Sequence, residues 1–138
     1  MQREYRNLLK AREANVSVPT PLTFLNNVLV LEFIGDYGMI APKLKDKPPK
    51  SRRDFFGKII ANMRKLHKAG LTHSDLSAFN ILNCNEKPVF IDFSQCTTLD
   101  SSRAGEYLER DIRNICNFFK KIGLRTDESK VREAVIGK

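Results

Sequence analysis

Apolar residues recur along this chain with two periods. Tyr5, Leu8, Leu9 and Arg12 stand at near-helical spacing across residues 2–14 and predict a helix that stops at Asn15. Residues 22–25 and 28–34 are strand-like, and Asn26-Asn27 between them tolerates the positive φ of a tight hairpin turn. Phe55, Ile59, Met63 and Leu66 form one helical stripe, with Ser51 as N-cap, Asp54 three residues on as in a capping box, and Gly70 as a left-handed stop. Two apolar runs, Ile81-Leu82 and Val89-Phe90-Ile91, flank a turn-rich segment at 83–88 and predict a second hairpin. Leu108, Ile112, Ile115, Phe119 and Ile122 are spaced 4, 3, 4 and 3, which predicts a long helix over 103–122, and a short helix follows from about Thr126.

The order of elements gives an α+β chain in three sectors. Residues 1–34 supply one helix and one hairpin, 35–53 a basic Pro-containing linker, and 54–138 a mostly helical body. The linker holds Lys43, Lys45, Lys47, Lys50, Arg52 and Arg53, interrupted by Pro42, Pro48 and Pro49, and reads as extended and solvated. Such a run could meet RNA phosphates, although no aromatic residue interleaves it as a stacking platform. A lone two-stranded hairpin is marginal in water, and Val28, Val30 and Leu31 would sit at a bare sheet edge. The front sector therefore reads as part of a larger sheet, to be completed by a further segment or another chain.

Composition narrows the class. The 138 residues carry 24 basic and 16 acidic side chains, a net charge of +8, with 41% hydrophobic and 29% charged content, the balance of a globular domain. No apolar run approaches the roughly 20 residues of a membrane span, and the start has no apolar signal region. Cys84, Cys96 and Cys116 are odd in number and lack CxxC spacing, which suits a reduced, cytoplasmic protein, with nuclear shuttling in a eukaryote.

The densest chemistry lies at 73–92. Asp75, Asn80 and Asp92 surround the second predicted hairpin. An antiparallel pairing sets the start of its first strand beside the end of its second, so Asn80 and Asp92 become neighbours across a spacing of about 5 Å. Asp75, five residues before Asn80, can curl towards the same point. One carboxylate to orient a nucleophile, plus an amide and a carboxylate for metal, is what phosphoryl transfer needs. Mg²⁺ takes one or two carboxylates plus phosphate oxygens, and Asn80 with Asp92 suits it, whereas His73 and Cys84 lack the paired spacing of a Zn²⁺ site. His73 reads as packing and hydrogen-bonding to hold the loop.

These motifs resemble the RIO family of atypical serine/threonine kinases, in its branch without a winged-helix domain. The resemblance rests on Glu4-Tyr5-Arg6-Asn7-Leu8, Val18-Pro19-Thr20-Pro21, residues 27–35, residues 73–80, Ile91-Asp92-Phe93-Ser94-Gln95 and Glu109-Arg110-Asp111-Ile112-Arg113-Asn114, in family order across nearly the whole chain. It implies a protein-kinase-like fold with a partial N-lobe and a compact, mostly helical C-lobe. It implies Asp75 as the catalytic aspartate and Asn80 with Asp92 as ligands of Mg²⁺, or Mn²⁺, on ATP. Asp92 would also be a phosphoaspartate acceptor. Glu32, Phe33 and Ile34 would form the hinge, with the backbone of Glu32 and Ile34 on adenine, and Leu82 and Ile91 an apolar floor beneath it. Glu4 would pair with the ATP-binding lysine, and Asp111 would brace the catalytic loop from below. The implied role is ATP-dependent phosphoryl transfer in maturation of the small ribosomal subunit, with pre-ribosomal RNA and proteins as partners.

Departures temper the resemblance. Ser77 and Ser94 replace the lysine and glycine of ordinary protein kinases, which suits the RIO type, and there is no Ala-Pro-Glu segment. The seven glycines form no G-x-G-x-x-G or P-loop pattern, and the Gly-rich loop and lysine are expected before Glu4, so weak or absent activity is expected of these 138 residues alone. A small-molecule phosphotransferase of the aminoglycoside or choline kinase type shares the His-x-Asp…Asn element, but few acidic residues follow Asp92. A catalytically inactive adaptor that binds pre-ribosomal RNA or protein is the alternative from another class.

Overall fold

The computed structural model describes residues 2–137. Helix α1 (Gln2–Glu13) buries Asn7, Leu8 and Ala11, and Asn15 ends the turn that follows it at φ 63°. Strands β1 (Pro21–Leu25) and β2 (Val28–Leu31) pair antiparallel through Asn26 and Asn27, both at positive φ. Strand β2 is shorter than the expected 28–34 run. The Glu32 amide still donates to Thr20 O (2.8 Å) in register, but Thr20 N donates to the Glu32 carboxylate in place of the Glu32 carbonyl, with Thr20 Oγ1 beside it, both at 2.9 Å, and the ladder ends there. Those bonds and the nearby Arg12 charge hold the Glu32 carboxyl below its ordinary pKa, the backbone bond first among the causes.

Residues 35–53 are not the free, extended linker that their charge pattern predicts. They open with β3 (Gly35–Asp36) and β4 (Met39–Ile40), closed by Tyr37 and Gly38 at positive φ. Leu44, set among the lysines, is 0% exposed in the core. Its amide donates to Ile81 O at 2.8 Å, Lys45 N donates to Ala78 O at 3.1 Å, and Asn83 N donates to Pro42 O at 2.7 Å. Burying one leucine and satisfying these backbone groups outweighs the tendency of a basic run to stay solvated. The lysines remain outside.

Helix α2 (Arg52–Lys68) buries Phe55, Ile59, Met63 and Leu66, and Gly70 follows it at φ 83°. The Ser51 side chain makes no cap bond. Glu86 instead accepts from Lys50 N (2.9 Å) and Ser51 N (3.2 Å), placing a carboxylate at the positive end of the helix, and Asp54 pairs with Lys58. The short strand β5 (Leu71–Thr72) leads into the loop at 73–80. Strands β6 (Ile81–Cys84) and β7 (Lys87–Phe90) form the second hairpin, turning at Asn85 and Glu86, and β8 (Thr97–Thr98) returns to β5.

Helix α3 (Ala104–Lys121) buries Leu108, Ile112, Ile115 and Phe119. Helix α4 (Glu128–Ile136) starts at Asp127, whose side chain accepts from Ser129 N and Lys130 N, and buries Val131 and Val135. Phe119 lies 6.3 Å from Phe55 and 5.0 Å from Phe56 between ring centroids, tying α3 to α2. One continuous core joins α1, Leu44, the helices and the second hairpin. Hairpin β1–β2 projects from it, with Leu22, Leu25 and Val28 at 58%, 69% and 60% exposure. No helix among the described residues is long and apolar enough to cross a membrane.

Candidate active site

Asp75, Asn80 and Asp92 gather at the open base of the β6–β7 hairpin. Ile81 pairs with Phe90, and just beyond them Ile91 N donates to Asn80 O at 3.0 Å, so the ladder fixes residues 80 and 91 side by side. Asn80 Nδ2 donates to Asp75 O (2.8 Å) and Asp75 Oδ2 (3.3 Å), which joins the loop carboxylate to the hairpin. This orientation turns the amide oxygen of Asn80 away from Asp75 and leaves it as an acceptor. Asp92 sits at φ 58° and accepts from Ser94 N (3.3 Å) and Ser94 Oγ (2.6 Å), all on Oδ1. Its second oxygen is left over. Both carboxylates are solvent-facing, so an incoming ligand meets them without opening the core.

Beneath these groups lies a shell of buried polar side chains. His73 Nε2–H donates to Ile91 O (2.8 Å), its Nδ1 accepts from Asp75 N (3.2 Å), and its ring packs against Phe90 and Phe93. Burial pushes its pKa below the ordinary histidine value, against the pull of the Ile91 carbonyl and of Asp75 and Asp92. The ring is a neutral strut between residues 75 and 91. Asp111 accepts from Ser74 N (2.8 Å) and Thr72 Oγ1 (3.4 Å) on one oxygen and Leu76 N (3.0 Å) on the other. Burial raises its carboxyl pKa to about 6, with the backbone donors pulling the other way. Arg110 donates to Ser74 O and Asn114 Nδ2 to Leu76 O (3.2 Å). Ser74 is thereby held at both its amide and its carbonyl at φ 74°, a left-handed backbone that a serine adopts only where its surroundings enforce it.

A third group of contacts comes from α1. Glu4 Oε2 accepts from Phe93 N (3.1 Å), Asn7 Nδ2 donates to Phe93 O (3.3 Å), and Arg3 Nη2 donates to Cys96 O (3.1 Å). The helix grips both sides of the peptide that follows Asp92. Glu4, anticipated as a partner for a lysine, here has its carboxylate on the Phe93 amide. Arg3, Asn7, Arg110 and Asn114 were missed as supports by sequence reasoning. Asn7 carried a faint signal, being a polar residue directly beside Leu8 on the inward face of α1, and Arg110 carried its adjacency to Asp111.

The segment at 32–34 lies at the exit of β2. The Glu32 amide is taken by Thr20 O, and the Ile34 carbonyl accepts from Ala41 N at 2.9 Å. Among the described residues, the Glu32 carbonyl and the Ile34 amide keep no backbone partner. One free acceptor and one free donor, two residues apart on an edge, match the hydrogen-bonding edge of a purine. Phe33 points to solvent at 56% exposure, Leu82 is buried and Ile91 is half-buried.

The donor set can be tested against a cation. Among the described residues, no three or more His, Cys, Asp or Glu cluster as a metal cage. The free oxygens of Asn80 and Asp92 are hard donors too few for an all-protein site. They fit Mg²⁺, which keeps waters and phosphate oxygens in its shell.

Comparison with known proteins places this geometry in a family. The sequence matches the RIO domain over residues 1–133. It is 38% identical over 135 residues to the RIO-type serine/threonine-protein kinase Rio1 of Thermoplasma acidophilum, covering 98% of this chain and 71% of that one. Against Rio1 of Methanocaldococcus jannaschii it is 39% identical over 139 residues, covering 100% and 48%. Against serine/threonine-protein kinase RIO1 of Saccharomyces cerevisiae it is 36% identical over 129 residues, covering 89% and 27%. The chain thus spans about half the length of the M. jannaschii relative and less of the yeast one. Among solved structures it resembles the Rio2 kinase-ADP/Mg²⁺-phosphoaspartate complex from Chaetomium thermophilum, with a TM-score of 0.78, 22% identity and coverage of 98% of this chain and 44% of that one. That likeness establishes the fold as the kinase-like α+β architecture, a partial N-lobe followed by a mostly helical lobe.

Proposed function

This chain belongs to the RIO family of serine/threonine protein kinases, and from that membership we propose that it carries the phosphoryl-transfer centre of an ATP-dependent kinase or ATPase. The observation that supports the reading best is the coupling of Asp75 to Asn80 through the amide nitrogen, which leaves the Asn80 amide oxygen unbonded to Asp75, while the hairpin holds Asn80 beside Ile91, the residue before Asp92.

In this reading Asp75 orients an acceptor hydroxyl and takes its proton as the hydroxyl oxygen bonds to the γ-phosphorus of ATP and ADP departs. Asn80 and Asp92 hold Mg²⁺, or Mn²⁺ in its place, which neutralises charge on the phosphates when bound. The Glu32 carbonyl and Ile34 amide receive adenine, Phe33 lies at the outer edge of that segment, and Leu82 and Ile91 lie under the base. Asp92, with one oxygen tied to Ser94 and the other free, is the residue placed to accept a phosphoryl group itself. The phosphoaspartate named for the Rio2 complex is the precedent for that step. His73, Asp111 and Glu4 position these groups without touching substrate.

The finer assignment is maturation of the small ribosomal subunit, with pre-ribosomal RNA and protein as partners. Its support is the family resemblance and the net charge of +8. A salt-titrated RNA-binding assay on the parent and on a variant neutralised at 43–53 tests the RNA contact, and equal affinities would remove it. The transfer reading is tested by following ATP turnover in the parent and in Asp75→Asn. A positioned base contributes about 10²–10⁴-fold, so whatever weak turnover the parent shows should fall by a factor in that range in the variant. Turnover that ignores the substitution would exclude Asp75 from the chemistry.

A further inference from the structure

A second polar site adjoins the catalytic loop on the side of Ser74. Arg3 of α1, Arg103 at the N-cap of α3 and Arg110 within α3 line a cavity of about 520 Å³ together with Thr97, Ser101 and Ser102. No carboxylate is among the described residues that line it. Guanidinium forks match the oxygens of a phosphate, and hydroxyls add further donors. The three arginines are held near one another by the fold. Arg103 and Arg110 each lie 5.1 Å from the ring centroid of Tyr107, and Arg3 is tied to Cys96 O. Like charges gathered this way repel, and an anion between them relieves the repulsion.

Glu106 accepts from Nε (3.2 Å) and Nη2 (3.3 Å) of Arg103. That pair is 61% and 65% exposed, and such surface ion pairs are worth little, so a dianion can displace it. The cavity also reaches the chemistry. Arg110 holds the carbonyl of Ser74 while its neighbour Asp111 holds the amide, and Asp75 is the next residue. A ligand on Arg110 therefore lies one peptide from the catalytic carboxylate.

We propose that this cavity binds a phosphomonoester carried by the protein substrate, seating a phosphoserine or phosphothreonine so that an acceptor hydroxyl on the same polypeptide reaches Asp75. The proposal rests on the transfer reading above for its role in catalysis. The one aromatic side chain of the lining, Tyr107, is already covered by guanidiniums, which favours a phosphoprotein over a stacked RNA base.

The test is fluorescence anisotropy with a labelled alanine pentapeptide carrying one central phosphoserine. Its unphosphorylated counterpart, inorganic phosphate and a uridine oligonucleotide serve as competitors. The chain should bind the phosphopeptide and not its counterpart. Arg103→Gln should weaken binding about tenfold, the loss expected for one charge-assisted contact. Glu106→Gln frees the Arg103 fork and should strengthen binding, a gain that a merely structural role for either residue would not produce. The proposal falls if both peptides bind alike, if inorganic phosphate or the oligonucleotide competes better than the phosphopeptide, or if both variants are neutral. Mg²⁺-ATP binding by the same chain separates the two readings. ATP binding without phosphopeptide binding overturns this proposal alone. Phosphopeptide binding without ATP binding confirms the ligand and overturns the transfer reading.

Discussion

The loop at 72–76 and the front hairpin β1–β2 treat their side chains in opposite ways. In the loop, Thr72, His73 and Ser74 are buried polar residues, and each finds a hydrogen-bond partner on Asp111, Ile91 or the neighbouring backbone. In the hairpin, Leu22, Leu25, Val28 and Val30 are apolar and exposed. A buried polar group left unpaired is expensive, so the loop has few alternatives to its observed shape. An exposed leucine costs little to replace. The two regions therefore answer different questions. The loop, braced by α3 and by the bond of His73 to Ile91 O, is held in one shape by residues of this chain. The hairpin turns Phe24 towards Tyr5 and packs Leu29 and Leu31 against the core, and it leaves Leu22, Leu25, Val28 and Val30 exposed.

The largest way to break the contrast is Asp111→Ala. It strands the Ser74 and Leu76 amides and the Thr72 hydroxyl together, and removing the acceptor from several buried donors should cost about 3 kcal/mol or more. Urea denaturation measures this. A loss below about 1 kcal/mol would show that the loop does not depend on its polar brace.

A pH series sharpens the same point. Asp111 titrates at about 6 in the folded protein, above its ordinary 3.8. A raised carboxyl pKa means that the folded state holds the proton more tightly. Its contribution is therefore present below the ordinary pKa and is lost as pH rises through about 6, on the order of 3 kcal/mol. Asp111→Asn should flatten the urea-midpoint profile across that window, and parallel profiles would contradict the assignment. His73 runs the other way. Its depressed pKa gives stability that is full above the ordinary 6.5 and is lost as pH falls through the folded value. The imidazole nitrogen shifts of His73 should accordingly report a midpoint below 6.5, and one above it would end the description of a neutral strut.

A smaller effect is expected at Asn7, whose single bond to Phe93 O joins α1 to the segment after Asp92. Asn7→Ala should cost about 1 kcal/mol, read from the same urea curves. The smallest effect belongs to the hairpin. Leu25→Ser should change stability by less than about 0.5 kcal/mol, because a 69% exposed side chain has little burial to lose. A loss matching that of Asp111→Ala would erase the distinction between the two regions.

The legible parts of the molecule were those whose information is local. Helical stripes such as Phe55–Ile59–Met63–Leu66, the Asn26-Asn27 turn and the proximity of Asn80 to the end of β7 follow from spacing within a few residues. The docking of residues 43–47 was hidden because charge dominates that stretch, while one buried leucine and backbone bonds to residues 78–83 hold it. The cap on α2 was hidden because Glu86 arrives from a turn far along the chain, not from the expected Asp54. The grip of Arg3 and Asn7 on residues 93–96 joins positions separated by 93 and 86 residues, and no local pattern signals such a pairing. The polar cluster at 73–92, with His73 and Asp111 as its supports, was legible from residue types and the resemblance; the contacts made by Arg3, Asn7, Arg110 and Asn114 were not.

The central claim is that Asn80 and Asp92 form the Mg²⁺-dependent end of a nucleotide site. Titration calorimetry of ATP into this chain and into Asp92→Asn, with and without Mg²⁺, tests it most directly. The account predicts binding that requires Mg²⁺ and weakens about tenfold or more in the variant. Absence of binding by the folded parent, or equal binding by parent and variant, would contradict it.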